Sequence, residues 1–185
     1  QGEASDLRGK GGPLTVSRTR VSRPVVDAWL KAAQNCGYPA NDAYNGVDQE
    51  GVSLFQLTAK RGRRCSSAVA YLNPATKRTN LPFITRACVE KLILDGQRVT
   101  GVQLANSQIL ANKEVILSAG AIGSPQLLMV SGIGATEELN PHKIAMVKEL
   151  PGVGQNLQDH LQARPVFKCA SSTINTEISM TLIHI

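Results

Sequence analysis

Aromatic side chains are scarce in this sequence, since Phe, Tyr and Trp together make up only 4% of the 185 residues. The core must therefore be built mainly from Val, Ile, Leu and Ala. Two basic groups, at residues 18–23 and 60–64, contribute to a net charge of +6, but no aromatic platform for stacking bases accompanies them. Charge alone says little about a partner. We interpret both groups as solvated surface and expect no nucleic-acid partner.

Clustered metal ligands and long apolar runs are also missing. The four cysteines, Cys36, Cys65, Cys88 and Cys169, are far apart and form no CxxC pair, so neither a metal site nor a disulfide scaffold is expected. No stretch approaches the roughly 18 apolar residues that a membrane span requires. No basic–apolar targeting segment opens the chain, which favours a cytoplasmic protein. Both ends have the appearance of cuts within a longer chain.

The hydrophobic content of 42% and charged content of 18% are typical of a globular protein. Residues 24–35 predict a helix, because Pro24 suits the first helical position and apolar residues recur at helical spacing. Gly37 and Pro39 are expected to end it. A second, short helix is predicted at residues 66–72, ended by Asn73 and Pro74.

A strand-rich block follows, from residue 80 to residue 118. Asp95-Gly96 is a strong hairpin signal, and Asn106-Ser107 indicates a second turn. The last run, residues 115–118, is apolar without alternation, which is typical of a buried parallel strand. The block therefore predicts a β-meander followed by one buried strand, in a chain of α/β (α+β) class.

Small residues follow that last strand. The chain is predicted to turn at Ala119-Gly120 and to enter a helix capped by Ser124, with Pro125 in its first position. Gly132 and Gly134 are expected to close this helix, and a short helix at 136–139 and an extended stretch at 144–149 should follow. Loops that join a strand to a helix N-terminus commonly approach phosphates or other ligands.

The glycines and alanines of this turn have two interpretations. Gly120, Ala121 and Gly123 either let a ligand approach the backbone or let the helix pack tightly on the strand. The stretch GAIGSP is not a GxGxxG fingerprint, so the residues alone leave both interpretations open.

The stretch GAIGSPQLLMVSGIG, residues 120–134, resembles the second signature of the glucose–methanol–choline oxidoreductase family. Three further pieces resemble that family in its own order, namely GRRCSSAVAYL, NLPFITRACVEKLILDGQRVTGV and LPGVGQNLQDHL. The likeness covers nearly the whole chain and is closest to the choline-dehydrogenase-like and aryl-alcohol-oxidase-like branches. It implies an FAD/NAD(P)-binding-type domain segment with parts of a substrate-binding domain.

The resemblance also implies a function and site residues. It implies an FAD enzyme that oxidises a small primary alcohol, choline-like or aromatic, by hydride transfer to the flavin. The residue matching Val89 would bind the adenine through main-chain atoms. Ala119, Gly120 and Ala121 would approach the adenosine diphosphate end of the cofactor.

The same resemblance implies a division of the chain. Residues 1–62 would be a substrate-side or interdomain segment, residues 63–158 part of the FAD-binding domain, and residues 159–185 the start of the substrate-binding domain. Missing sheet neighbours would leave strand edges exposed, so an oligomer is possible.

Two parts of the family pattern are absent from this sequence: the N-terminal GxGxxG fingerprint and the C-terminal catalytic His. His142, His160 and His184 do not replace that His, and the pair Asp159-His160 is structural in the family. We therefore expect no catalytic residue here and an inactive chain by itself. Two alternatives stay open: a flavin-containing hydroxynitrile lyase of the same family, and a fragment that folds but binds little.

Overall fold

The computed structural model describes residues 6–7, 9–163, 166–168 and 170. The chain divides into two compact units. The first contains the described residues up to Phe83 and those from 166 onward, and the second begins at Ile84 and includes the described residues up to 163. Each unit is described by itself.

The first unit contains the predicted helix α1, Pro24–Asn35. Pro24 occupies the first turn, where its missing N–H costs nothing, and Asp27 lies in the same turn, where a negative charge is favourable. The hydroxyl of Ser22 donates a hydrogen bond to Asp27. Cys36 caps the end of the helix and Gly37 follows with a φ of 95°, which confirms the predicted stop.

A small hairpin carries the second basic group. Strands β1, Ala59–Lys60, and β2, Arg63–Arg64, pair antiparallel. Their turn consists of Arg61 and Gly62, both with positive φ. These basic residues are all exposed, as the solvated-surface interpretation predicts.

The predicted second helix is longer than expected. A π-helical turn, Ala68–Leu72, continues directly into α2, Asn73–Ala75. The prediction that Asn73 and Pro74 end the helix is wrong. Pro74 is tolerated because it lies in the first turn of α2, where its fixed φ matches the helix.

The second unit is built on the predicted meander. Strands β3, Val89–Asp95, β4, Arg98–Leu104, and β5, Ser107–Leu110, form one antiparallel sheet in that order. The β3–β4 turn uses Gly96, with a φ of 58°, as its first central residue. The β4–β5 turn lies one residue earlier than predicted, because Leu104 pairs with Ser107.

The predicted buried strand at residues 115–118 does not form. Among the described residues no strand pairs with this segment, and Ile116 is 79% exposed. A parallel strand needs neighbours on both sides and layers on both faces. Among the described residues the apolar run lacks those neighbours, so it stays unpaired.

Helix α3, Gly120–Val130, begins earlier than predicted. Ser124 does not precede the helix; its Oγ accepts a hydrogen bond of 3.1 Å from the N–H of Ala119, the N-cap residue. Pro125 consequently lies inside the helix. It is tolerated there because it removes only one early hydrogen bond of the ladder.

Helix α3 ends as predicted at a glycine. Ser131 caps it, and Gly132 follows with a φ of 85°. Strand β6, Ile133–Gly134, then pairs parallel with β7, Lys148–Glu149, and between them lie the predicted helix α4, Thr136–Leu139, and a 3-10 turn, Asn140–His142. Of the extended stretch predicted at 144–149, only β7 is a strand.

Candidate functional site

The first turn of α3, with its N-cap residue Ala119, has an open surface above its backbone. Gly120 has a φ of 86°, and a Cβ placed on it would meet no atom within 4 Å. A Cβ on Gly123 would lie 3.1 Å from the Cβ of Ala119. Gly123 therefore lies close to Ala119 within the turn, whereas the space beside Gly120 is open.

Backbone donors are concentrated at this turn. The N–H groups of Gly120, Ala121 and Ile122 belong to the first helical turn, which has no preceding carbonyls to bind them. The positive end of the helix dipole adds to their attraction for an anion. Ala119 and Ala121 present only methyl groups and are exposed, so nothing bulky covers the donors. The turn can bind a polar or anionic group, but it carries no side chain that could transfer a proton.

Val89 is the first residue of β3 and is half-buried. The pairing of β3 with β4 shifts register between Val89 and Lys91. Such bulges redirect the backbone and are common beside binding sites. The exposed thiol of Cys88 directly precedes Val89. The position predicted to contact adenine thus lies at an irregular, accessible strand end.

The structure places all four predicted cofactor residues in the second unit. Val89 stands on β3, and Ala119, Gly120 and Ala121 stand at the start of α3. The two elements pack against each other. A hydrogen bond joins Leu92 of β3 to Ser131, the residue that caps the C-terminal end of α3.

A groove of about 850 Å³ runs along α3. Sequence reasoning did not find it, because its walls come from separate segments that no local pattern connects. Ala121 belongs both to this groove and to the turn. The lining residues are Ala121, Ile122, Pro125, Gln126, Met129, Val130, Glu138, Leu139, His142, Ile144 and residues 154–158.

The histidines have no arrangement for acid–base catalysis among the described residues. The carboxylate of Asp159 accepts a hydrogen bond of 2.8 Å from the backbone N–H of His160, a contact that does not involve the imidazole. His142 lines the groove. His184 lies outside the described residues, as does Cys169.

Within the described ranges, no group of three or more His, Cys, Asp or Glu side chains could hold a metal ion. In the same part of the chain, no helix has the length and apolar character needed to cross a bilayer. Cys36 and Cys88 are exposed free thiols, and Cys65 is buried.

The turn fits the adenosine diphosphate group that the resemblance implies. Such a group needs clear space, hydrogen-bond donors and no opposing negative charge. Residues 119–122 supply the first two, since Gly120 faces open space and the first-turn N–H groups have no helical partners. No acidic side chain stands in the first turn of α3.

Comparison with known proteins finds one matching family and a set of longer relatives. The family described as GMC oxidoreductase matches residues 4–162. Human mitochondrial choline dehydrogenase is 47% identical over 163 residues, covering 86% of this chain and 27% of the relative. The oxygen-dependent choline dehydrogenase of Brucella suis is 40% identical over 185 residues, covering 97% of this chain and 34% of the relative. The chain therefore spans about a third or less of the length of these relatives.

Solved structures show the same likeness. Pyridoxine 4-oxidase from Mesorbium loti superposes with a TM-score of 0.72 and 33% identity, covering 77% of this chain and 29% of that protein. An FAD-dependent oxidoreductase from Chaetomium thermophilum gives a TM-score of 0.79 and 29% identity, covering 84% of this chain and 28% of that protein. These likenesses confirm the predicted fold class, an FAD-binding-type segment of mixed helix and strand.

Proposed function

Because the chain belongs to the GMC oxidoreductase family, we propose that it forms the part of an FAD-dependent alcohol oxidoreductase that holds the adenosine diphosphate end of the cofactor. FAD, when bound, accepts a hydride from the alcohol. The observation that carries the proposal is the uncovered first turn of α3, where Gly120 faces open space and N–H donors have no helical partners.

Different residues would bind different parts of the cofactor. The N–H groups of Gly120 and Ala121 would bind the diphosphate side, next to Ala119, whose own N–H donates to Ser124. The main chain at Val89 would lie beside the adenine. These roles position the cofactor and require no side-chain chemistry, which suits the absence of reactive side chains at residues 119–122.

The substrate of the longer protein is proposed to be a small primary alcohol. Choline dehydrogenases are among the relatives that cover most of this chain, which supports a choline-like alcohol over an aromatic one. Residues 63–158 would belong to the FAD-binding domain, with residues 1–62 and 159–185 on the substrate side. The 185-residue chain alone is proposed to be inactive, because no residue in it has the role of the family's catalytic His.

Two measurements test the proposal. The longer protein is purified and its visible spectrum recorded; flavin bands are expected, and protein that stays colourless after reconstitution with FAD contradicts the proposal. Choline is then added without oxygen. Bleaching of the flavin is expected, whereas a bound flavin that no primary alcohol bleaches would favour the lyase of the same family.

The role of the turn is tested by binding. ADP carries the adenosine and diphosphate of FAD without the flavin, so apoprotein of the longer chain should bind it with micromolar affinity or better in calorimetry. FMN, which lacks the adenosine, should bind more weakly. Equal affinity for FMN and FAD would show that the adenosine end contributes nothing.

A further inference from the structure

We propose that Ser131 is a positioning residue for the cofactor: its hydroxyl fixes strand β3 against helix α3, and so sets Val89 relative to the turn at Gly120. The inference rests on the proposed function, because those two places are where the adenosine diphosphate would bind.

Ser131 is unusual in its burial. Of the polar side chains in the described part of the chain, only Ser131 is buried, with 7% exposed. Its Oγ accepts a hydrogen bond of 2.8 Å from the N–H of Leu92 and donates one of 2.6 Å to the carbonyl of Leu127. One hydroxyl thus satisfies a strand donor and a helix acceptor together.

The strand that Ser131 contacts is irregular on both sides of the contact. β3 shifts register against β4 between Val89 and Lys91, and again between Ile93 and Leu94. Leu92 lies between the two shifts, with its side chain only 4% exposed. Because β3 is an edge strand of the three-stranded sheet, its outward N–H groups have no strand partner on that side. The hydroxyl of Ser131 occupies this position at Leu92.

The helix that Ser131 ends is the one whose first turn forms the candidate site. α3 contains 11 residues, so about 16 Å separate its two ends. The backbone at Gly132 fixes the end of α3, because its carbonyl accepts hydrogen bonds of 2.7 Å from the N–H of Val147 and 3.1 Å from the N–H of Lys148. The hydroxyl of Ser131 therefore connects a fixed helix end to the strand three residues from Val89.

The test compares three variants of the longer protein. Ser131→Ala removes the hydroxyl, and Ser131→Thr retains it. Ser107→Ala is the matched control, because Ser107 lies exposed on β5 of the same sheet. The readouts are dissociation constants for ADP, FAD and FMN, measured by calorimetry on apoprotein.

We expect Ser131→Ala to raise the dissociation constants of ADP and FAD about tenfold, which corresponds to about 1.4 kcal/mol of binding free energy. The dissociation constant of FMN should stay unchanged. Ser131→Thr should restore at least half of the loss, and Ser107→Ala should change nothing. A merely structural role would weaken the binding of all three ligands equally or of none of them. Either result overturns the inference.

A measurement on the unaltered protein applies if Ser131→Ala fails to fold. Hydrogen exchange of the Leu92 amide is measured with and without ADP. The reference is the amide of Leu150, the residue after β7, which donates a 3.0 Å hydrogen bond to the carbonyl of Gly134. Protection at Leu92 should rise at least fivefold more than at Leu150. An equal rise at both amides overturns the inference.

The two proposals fail in different ways. If the unaltered protein binds neither FAD nor ADP, the proposed function is wrong and the inference falls with it. If it binds both, and Ser131→Ala binds ADP as tightly as before, only the role of Ser131 is wrong.

Discussion

The backbone N–H of Leu92 donates a 2.8 Å hydrogen bond to the hydroxyl of Ser131, a residue 39 positions further along the chain. This contact joins the β-meander to helix α3. It is buried on both sides, because Leu92 and Ser131 both belong to the interior of the second unit. The small side chain of Ser131 therefore links strand β3 to helix α3.

Replacing Ser131 by Ala should lower the stability of the second unit by about 1–3 kcal/mol, because the N–H of Leu92 and the carbonyl of Leu127 both lose a buried partner. The free energy of unfolding is measured in urea, and amide exchange within the second unit assigns the change to that unit. Ser107→Ala should differ from the unaltered protein by less than about 0.5 kcal/mol. A Ser131→Ala variant as stable as the Ser107→Ala control would contradict the assignment.

Replacing Gly132 by Ala should cost more than about 2 kcal/mol, since a non-glycine residue is strained at a φ of 85° and its Cβ would meet the carbonyl oxygen of Ala145 at 2.4 Å. Gly152→Ala is the matched control, because its Cβ would meet nothing within 4 Å. Thermal unfolding of the two variants checks the difference. Equal melting temperatures for the two variants would show that the backbone after α3 accommodates a side chain at residue 132.

Replacing Gly120 by Ala should weaken ADP binding by about tenfold while costing about 1–2 kcal/mol of stability. The methyl group enters the space above the backbone donors, and the residue must adopt a φ of 86°. Gly96→Ala carries a comparable strain, with a φ of 58° and no atom near its Cβ, but lies in the β3–β4 turn. If calorimetry gives both variants the same affinity for ADP, the turn at Gly120 is not the site.

The thiol of Cys88 should react more slowly with a maleimide when ADP is present, because it directly precedes Val89. We expect a rate at least threefold lower, measured by mass spectrometry of the labelled peptide. Cys36 is an internal control, since it is also exposed but belongs to the first unit. Parallel slowing of both thiols, or of neither, would argue against a ligand beside Val89.

Ile116→Lys should reduce self-association of the 185-residue chain, because the segment at 115–118 exposes the apolar side chain of Ile116 and has no strand partner for its backbone. Asn112→Lys adds the same charge at an exposed position outside that segment and should have little effect. Sedimentation velocity at several concentrations measures the difference. An unchanged distribution for Ile116→Lys would mean that another surface drives association.

Local patterns predicted much of the fold. Pro24 and Gly37 bound helix α1 because each has a conformational preference that acts without tertiary contacts. Asp95-Gly96 likewise placed the first meander turn, although the glycine occupies its first central position. The order of the three meander strands followed from their short connections.

Features that depend on distant residues were missed or misplaced. The run at 115–118 has the composition of a buried strand, but a strand forms only where a neighbour pairs with it. The start of α3 was placed too late, because Ser124 accepts from Ala119 upstream instead of preceding the helix. Neither the groove along α3 nor the contact of Ser131 with Leu92 can be predicted from the spacing of neighbouring residues, because both depend on residues far apart in the chain. The assignments of Val89 and of residues 119–121 to the cofactor stay predictions.

The proline inside α3 gives the candidate turn a mixed hydrogen-bonding character. Pro125 has no N–H to offer to the carbonyl of Ala121, and both residues line the groove. One helical turn therefore combines N–H groups without helical partners at its start with a carbonyl that lacks its usual ladder donor, and the two kinds of group point in opposite directions along the helix. The proposed cofactor contacts at this turn use main-chain atoms, which side-chain replacements at Ala119 or Ala121 would leave in place.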